Sequence, residues 1–223
     1  MASEPNGMLP IDVLSDVVCP WCFVGKRRLE AALSRLASTQ PGFRPVVNWH
    51  PFELNPDLPR EGIGRRAYMD AKFGGRARTA DAHARLAAIG ATLGIDFRFD
   101  AIVRQPNTRD AHRLVSWGQT QADAGPLVER LFAAFFVEGR DVGDRDELAR
   151  LAGEAGLDFE AAKAMLGSDT LVDRVAATEE RARELGVSGV PFFIFNERVA
   201  VSGAHEPAAL LDAIEQSLAT ANP

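Results

Sequence analysis

The apolar positions of this chain change period twice, and the changes outline its architecture. "IDVLSDVV" (11–18) is a short β-rich run that predicts a buried strand after a loose tail at 1–9. Leu29, Ala32, Leu33 and Leu36 then recur at three- and four-residue spacing, the stripe of a helix over roughly 20–38. "QPGFRP" (40–45) reads as a turn and "VVNWHPFEL" (46–54) as a second strand, with Pro51 suited to a strand end or a bulge. A proline-rich break, "NPDLPREG" (55–62), follows.

From about 63 to 186 the pattern is helical. Leu86, Ile89 and Leu93 predict a helix ending before Gly94, although Gly90 weakens it from inside. "NTRDAHRLVSWG" opens on Asn107 or Thr108 as a cap and carries Ala111, Leu114 and Trp117 on one face. Pro126 suits the start of a helix bearing Leu127, Leu131, Phe132, Phe135 and Phe136. Asp144 and Glu147 resemble a capping box, with Gly156 as a stop. Further helices fit 158–166 and 169–185, the latter stopped by Gly186. The strand period returns in "VPFFIF" (190–195) and "VAVS" (199–202), joined by Asn196-Glu197-Arg198, and Pro207, Leu210, Leu211, Ile214 and Leu218 form a last amphipathic helix. The pattern predicts one small α/β sheet interrupted by a helical insertion.

Composition narrows the function classes. Of 223 residues, 25 are Lys or Arg and 31 Asp or Glu, a net charge of −6, which argues against nucleic acid as a partner. No stretch approaches the ~20 apolar residues of a membrane span, and the first residues lack the charged and apolar regions of a signal peptide. These features predict a cytoplasmic protein without a membrane partner. In a reducing compartment a lone close cysteine pair suits catalysis or metal binding better than a structural staple.

The only cysteines are Cys19 and Cys22, where the first strand gives way to the first helix. A thiol at a helix N-terminus is acidified by free backbone N–H groups and the helix dipole. Pro20 suits the first helical position, and Cys22 falls within the first turn. This predicts Cys19 as an exposed attacking thiolate and Cys22 as a more buried resolving thiol. A zinc site is the competing reading, but there is no second CxxC and His50, His83, His112 and His205 are scattered, so no metal is expected. Two inert buried thiols are the other, and the strand–CPWC–helix context counts against them. Far away in sequence, "GVPFF" (189–193) opens a strand with a proline. A cis Val190–Pro191 bond would press Val190 against the CxxC; a trans bond beginning a strand is the commoner alternative.

Several segments together carry a family resemblance: "SDVVCPWCFVGKRRLE" (15–30), "PFELNPDLPREG" (51–62), "NTRDAHRL" (107–114), "FFVEGRDVGD" (135–144) and "GVSGVPFF…VSGA" (186–204). Over about residues 10 to 218 the chain resembles the DsbA-type thioredoxin-fold oxidoreductases, and more narrowly their cytoplasmic FrnE-like branch. The resemblance implies an α/β thioredoxin fold with a large all-helical insertion between an N-terminal βαβ unit and a C-terminal ββα unit. The implied parts are 10–60, the insertion 61–168, and 169–219. It further implies thiol–disulfide exchange with Cys19 as nucleophile, Cys22 as resolving thiol and Pro191 as the cis-proline. Pro20, Trp21, Val190, Gly203 and Ala204 would then meet the substrate, a disulfide- or thiol-containing protein or a small thiol. No cofactor is implied beyond the dithiol, with glutathione allowed as co-substrate, and the chain is expected to be a monomer or a homodimer.

Two departures from the family pattern matter. Periplasmic relatives carry a buried acid six positions before the nucleophile, where this chain has Val13. Proton transfer would then fall to water or to Asp16, whose other reading is a loop residue satisfied by backbone N–H groups. His205 stands where relatives tend to have Gln, and either faces the thiol groove or is solvated. A sister group, the kappa-class glutathione transferases and 2-hydroxychromene-2-carboxylate isomerases, supplies the alternative function: glutathione-dependent small-molecule chemistry, with Asn107 and Thr108 bordering a cleft rather than only capping a helix. In that setting His112, one turn along the helix, reads as a packed or solvated face residue rather than a catalytic base. A chaperone-like binder using an apolar groove is the third, non-enzymatic reading.

Overall fold

The computed structural model describes residues 7–40 and 42–219. Its first strand, β1, spans Met8–Ser15. Residues 8 and 9 of the expected tail therefore belong to the sheet, while 1–6 lie outside the described residues. The strand ends three residues before the apolar run does. Asp16, Val17 and Val18 form a turn closed by the Cys19 N–H on the Asp16 carbonyl at 3.0 Å. Val17 and Val18 are buried in that turn, so hydrophobicity alone does not mark the strand's end.

The first helix, α1, spans Pro20–Thr39, and β2 spans Arg44–Pro51. Residues 52–54 were expected to extend β2; instead they wrap around the turn after β1. The Phe52 N–H bonds the Ser15 carbonyl at 3.2 Å and the Leu54 N–H bonds the Asp16 carboxylate at 2.8 Å. The inserted segment begins with a short strand, β3 (Ile63–Gly64), then α2 (Arg65–Phe73) and α3 (Arg76–Thr92). A 3-10 turn at Phe99–Ala101 leads to β4 (Arg104–Gln105), which pairs antiparallel with β3. Four helices follow: α4 (Arg109–Gly118), α5 (Gly125–Phe136), α6 (Arg145–Glu154) and α7 (Phe159–Gly167). The segment is thus helical apart from this two-residue ribbon. Gly90, which weakens the sequence pattern of α3, is where Phe97 lands: a Cβ there would lie 2.5 Å from its ring.

The next helix, α8, spans Val172–Glu184 and starts three residues late, because Leu171 takes a left-handed φ of 65° that ends the preceding turn. The strand β5 (Phe192–Phe195) starts two residues late, since Val190–Pro191 is a cis bond and Pro191 has no N–H for a ladder. It is joined to β6 (Val199–Ser202) through Asn196 and Glu197 at φ 52° and 56°, and α9 (Pro207–Ala219) closes the chain.

The main sheet runs β2-β1-β5-β6. β1 is parallel to β2 and antiparallel to β5, and β5 is antiparallel to β6. On one face the inner strands bury Leu9, Ile11, Val13, Phe193 and Phe195, and on the other a smaller cluster gathers Leu14 with Phe192 and Ile194. Pro45 and Pro51 lie on β2, an edge strand that tolerates missing donors. One hydrophobic cluster joins the sheet, α1 and the inserted helices. Its hinge is Phe23, beside Cys22, stacked on Phe132 at 5.0 Å and edge-on to Phe97 at 6.0 Å between ring centroids. The inserted helices thereby brace the α1 terminus that carries the thiols. Among the described residues, no helix is long and apolar enough to cross a membrane.

Candidate active site

The two cysteines occupy the start of α1 because the local sequence allows little else. Cys19 is the cap residue, still extended at φ −95° and ψ 112°, and Pro20 takes the first helical position. No side chain caps this terminus, and its first turn carries no acid. The Cys22 N–H donates to the Cys19 carbonyl at 3.0 Å, and it and the Trp21 N–H lie near enough to the Cys19 sulfur to favour its thiolate.

The bond from the Cys22 thiol has the largest effect on Cys19. Burial opposes it, the two backbone N–H groups add to it, and the Asp16 charge pushes the other way; the balance leaves Cys19 below its ordinary pKa. Burial and the neighbouring Cys19 drive Cys22 well above its own, against smaller help from the Asp16 backbone N–H and the Ser15 hydroxyl. One thiol is acidified and its neighbour three residues on is suppressed. An attacking and a resolving thiol require that asymmetry.

The predicted exposure of Cys19 needs correction: it is 5% exposed and Cys22 1%. The segment before β5 closes over the pair, and the Cys19 thiol donates to the Val190 carbonyl at 3.6 Å. Trp21, 42% exposed, presents the aromatic surface beside it, while Pro20 and Val190 are half-buried. Gly203 and Ala204, also half-buried, adjoin the same loop. The Gly203 N–H bonds the Pro191 carbonyl at 2.8 Å, and Arg28 of α1 donates to the Ala204 carbonyl at 2.5 Å. His205 is exposed and bonds the Ser202 carbonyl at 2.9 Å rather than either thiol, so the solvated reading describes its position.

The hydrogen bonds of Asp16 match its reading as a residue satisfied by backbone N–H groups. Asp16 is fully buried, and its carboxylate accepts from the Val18 N–H at 3.4 Å and the Leu54 N–H at 2.8 Å while its charge bears on Cys19. His112 is packed inside, with Nε2 3.5 Å from Asp16 Oδ1. Asn107 caps locally, accepting from the Arg109 N–H at 3.0 Å, and its amide donates to the Leu58 carbonyl at 3.0 Å. It also lines a cleft of about 240 Å³ with Arg60, Arg109 and Arg145; Thr108 is buried. Among the described residues, no three His, Cys, Asp or Glu side chains gather as a metal site.

Sequence reasoning missed two contributors. Ser15, the last residue of β1, turns its buried hydroxyl toward Cys22 and bonds no nitrogen or oxygen. Gly25 lets α1 approach the proline loop: a Cβ there would lie 2.9 Å from Pro191 Cγ and 3.1 Å from Phe193 Cζ. A glycine amid a helical pattern was the available signal. Gly25→Ala is expected to lower stability in urea unfolding by about 1–3 kcal/mol through overpacking, although alanine favours helix by about 1 kcal/mol. An unchanged or raised midpoint would show that the loop yields freely.

The likeness to known proteins has the same extent as the fold. A family profile described as DSBA-like thioredoxin domain matches residues 10–215. The probable DsbA oxidoreductase SCO1869 from Streptomyces coelicolor is 30% identical, with a TM-score of 0.86 over 96% of this chain and 92% of that one. Two structures at 18% identity share the fold: 2-hydroxychromene-2-carboxylate isomerase (TM-score 0.66, 96% of this chain, 97% of that one) and the cytosolic disulfide reductase DsbM from Pseudomonas aeruginosa, solved with GSH (TM-score 0.61, 95% and 96%). With its four-stranded sheet, its CPWC helix and the proline loop facing it, the chain belongs to the DSBA-like thioredoxin domain family.

Proposed function

We propose that the protein is a thiol–disulfide oxidoreductase working through Cys19 and Cys22. The observation that carries this reading is the opposed acidity of two adjacent thiols at an uncapped helix terminus, facing the Val190–Pro191 loop. In the reducing direction the Cys19 thiolate attacks one sulfur of a substrate disulfide. A Cys19–substrate disulfide forms, and the other substrate sulfur leaves as a thiolate that takes up a proton. Cys22 then loses its proton and attacks the Cys19 sulfur. The protein disulfide closes and the second substrate thiol is released, two electrons having passed to the substrate. The reverse sequence oxidises a dithiol.

Trp21, Pro20, Val190, Gly203 and Ala204 form the contact surface for protein or small-thiol partners. The parts at 10–60 and 169–219 carry the chemistry, and the inserted 61–168 frames it. Glutathione serves as co-substrate: two of its thiols reopen the Cys19–Cys22 disulfide and leave as glutathione disulfide. No metal or further cofactor enters. The reducing surroundings this needs agree with a cytoplasmic, FrnE-like member.

Replacing the resolving thiol tests the reading. Cys22→Ser incubated with glutathione disulfide is expected to accumulate a stable adduct at Cys19, seen by mass spectrometry, whereas the parent protein passes on to its internal disulfide. A variant that carries no adduct, or carries it elsewhere, refutes the assignment. A second reading, a glutathione-dependent transferase or isomerase, draws on the cleft at Asn107, where a ligand carboxylate would have to compete with Asp110 for Arg60 and Arg145 and with Glu53 for Arg109. That chemistry uses no resolving thiol, so its turnover would survive Cys22→Ser.

A further inference from the structure

Beside the thiol pair lies a buried charged cluster that the exchange reaction described above leaves unused. Asp16 enters it from the turn after β1, His112 from α4, Glu53 from the segment after β2, and Glu179 from α8, all four side chains buried. His112 is 4% exposed, and its Nε2 faces Asp16 Oδ1 at 3.5 Å with no other partner. Glu179 accepts from the Glu53 N–H at 2.8 Å. Arg109 reaches Glu53 at 3.1 Å, and Arg183 reaches Glu179 at 3.5 Å and the Glu53 carbonyl at 2.9 Å. Three carboxylates therefore face two arginines, and a protonated His112 supplies the third positive charge.

We propose that His112 is a positioning residue for thiol exchange: its imidazolium neutralises Asp16, and through Asp16 it sets the charge that the Cys19 thiolate must tolerate. The route is short. The Asp16 carbonyl accepts the Cys19 N–H at 3.0 Å, and the Asp16 carboxylate is the negative charge that disfavours the thiolate. Burial by itself drives His112 down, but contact with Asp16 and the charges of Asp16, Glu179 and Glu53 outweigh it, so the ring stays above its ordinary value. Burial and the Glu179 charge raise Glu53, against the pull of His112 and Arg109. The sign follows. Below the pKa of His112 the pair with Asp16 is neutral and Cys19 ionises readily. As pH rises through it, the imidazolium is lost, Asp16 stands uncompensated, and the thiolate is disfavoured.

The inference rests on Cys19 being the reactive thiol, so the experiment reads that separately. The reduced protein is alkylated with iodoacetamide from pH 4 to 9, and the labelled residue is identified by mass spectrometry. His112→Gln is expected to move the Cys19 profile to higher pH, slowing alkylation near neutrality by about three- to tenfold. Asp16→Asn is expected to move it to lower pH. The double variant Asp16→Asn/His112→Gln is expected to lose the shift of His112→Gln, because no carboxylate is left to compensate. A purely structural role for His112 would damage the double variant at least as much as the single one. Coincident profiles for His112→Gln and the parent, or a His112→Gln shift that persists without Asp16, overturn the proposal. Should His112→Gln fail to fold, Asp16→Asn decides alone: an unmoved profile overturns it. Labelling of Cys22 instead of Cys19 in the parent overturns the functional assignment.

Discussion

Cys19→Ser is expected to abolish catalysed disulfide exchange, lowering the rate of insulin reduction with dithiothreitol to background, a loss on the order of a thousandfold. A hydroxyl at this position stays protonated near neutral pH and forms no disulfide with substrate, so the first bond of the reaction is never made. Cys22 has no means of taking over. It is 1% exposed, and burial holds its thiol well above the range in which it would ionise. The loss is one of chemistry and not of structure, because Cys19 caps α1 through its backbone geometry and not through a side-chain bond. Thermal unfolding of the variant should therefore differ little from the parent. Turbidity assays that still show catalysis in folded Cys19→Ser would remove the nucleophile assignment.

Arg113→Met is expected to cause the largest loss of stability, about 3–5 kcal/mol. Arg113, on α4, is 0% exposed. Its guanidinium donates to the Thr170 carbonyl at 2.8 Å, the Met165 carbonyl at 3.1 Å and the Ser168 carbonyl at 2.5 Å, and it pairs with Asp110 at 2.5 Å. Those carbonyls belong to the end of α7 and the turn into α8, where helical partners have run out and Leu171 forces the chain to reverse. Methionine fills the volume but takes the guanidinium donor from the Thr170 and Ser168 carbonyls, while the Met165 carbonyl keeps the Ser168 N–H and hydroxyl. Asp110 loses less, since Arg145 still holds it at 2.5 Å. For a chain of this size the loss corresponds to a fall in Tm of roughly 10 °C. Urea unfolding with an unchanged slope would attribute the loss to the native state. A loss below about 1 kcal/mol would mean that water replaces the arginine, contrary to its complete burial.

The two predictions differ in how visible their residues are in the sequence. Cys19 announces itself: a CxxC with proline at the first helical position, after a β-rich run, is a local arrangement. Capping and apolar period depend on neighbours a few residues away, and they place α1, α4, α5 and the closing hairpin close to where they occur. Arg113 gives no such signal. In "NTRDAHRL" it reads as one polar helix residue among several, and only the arrival of residues 165–170 makes it a clamp. Gly25, Ser15 and the pairing of His112 with Asp16 are hidden for the same reason. Each acquires its meaning from a group on another element.

By itself the sequence determined that a thiol sits at a helix cap with a second thiol in the first turn, in a chain whose strand and helix periods give a small sheet split by helices. Those are properties of short-range backbone energetics, carried by residues near one another along the chain. The tertiary structure alone decided that Cys19 is buried under a carbonyl 171 residues away, that Asp16 is fully enclosed with His112 against it, and that the two thiols are driven apart in acidity. Burial and electrostatics sum over every group that packs nearby, and which groups those are is settled only when distant segments meet.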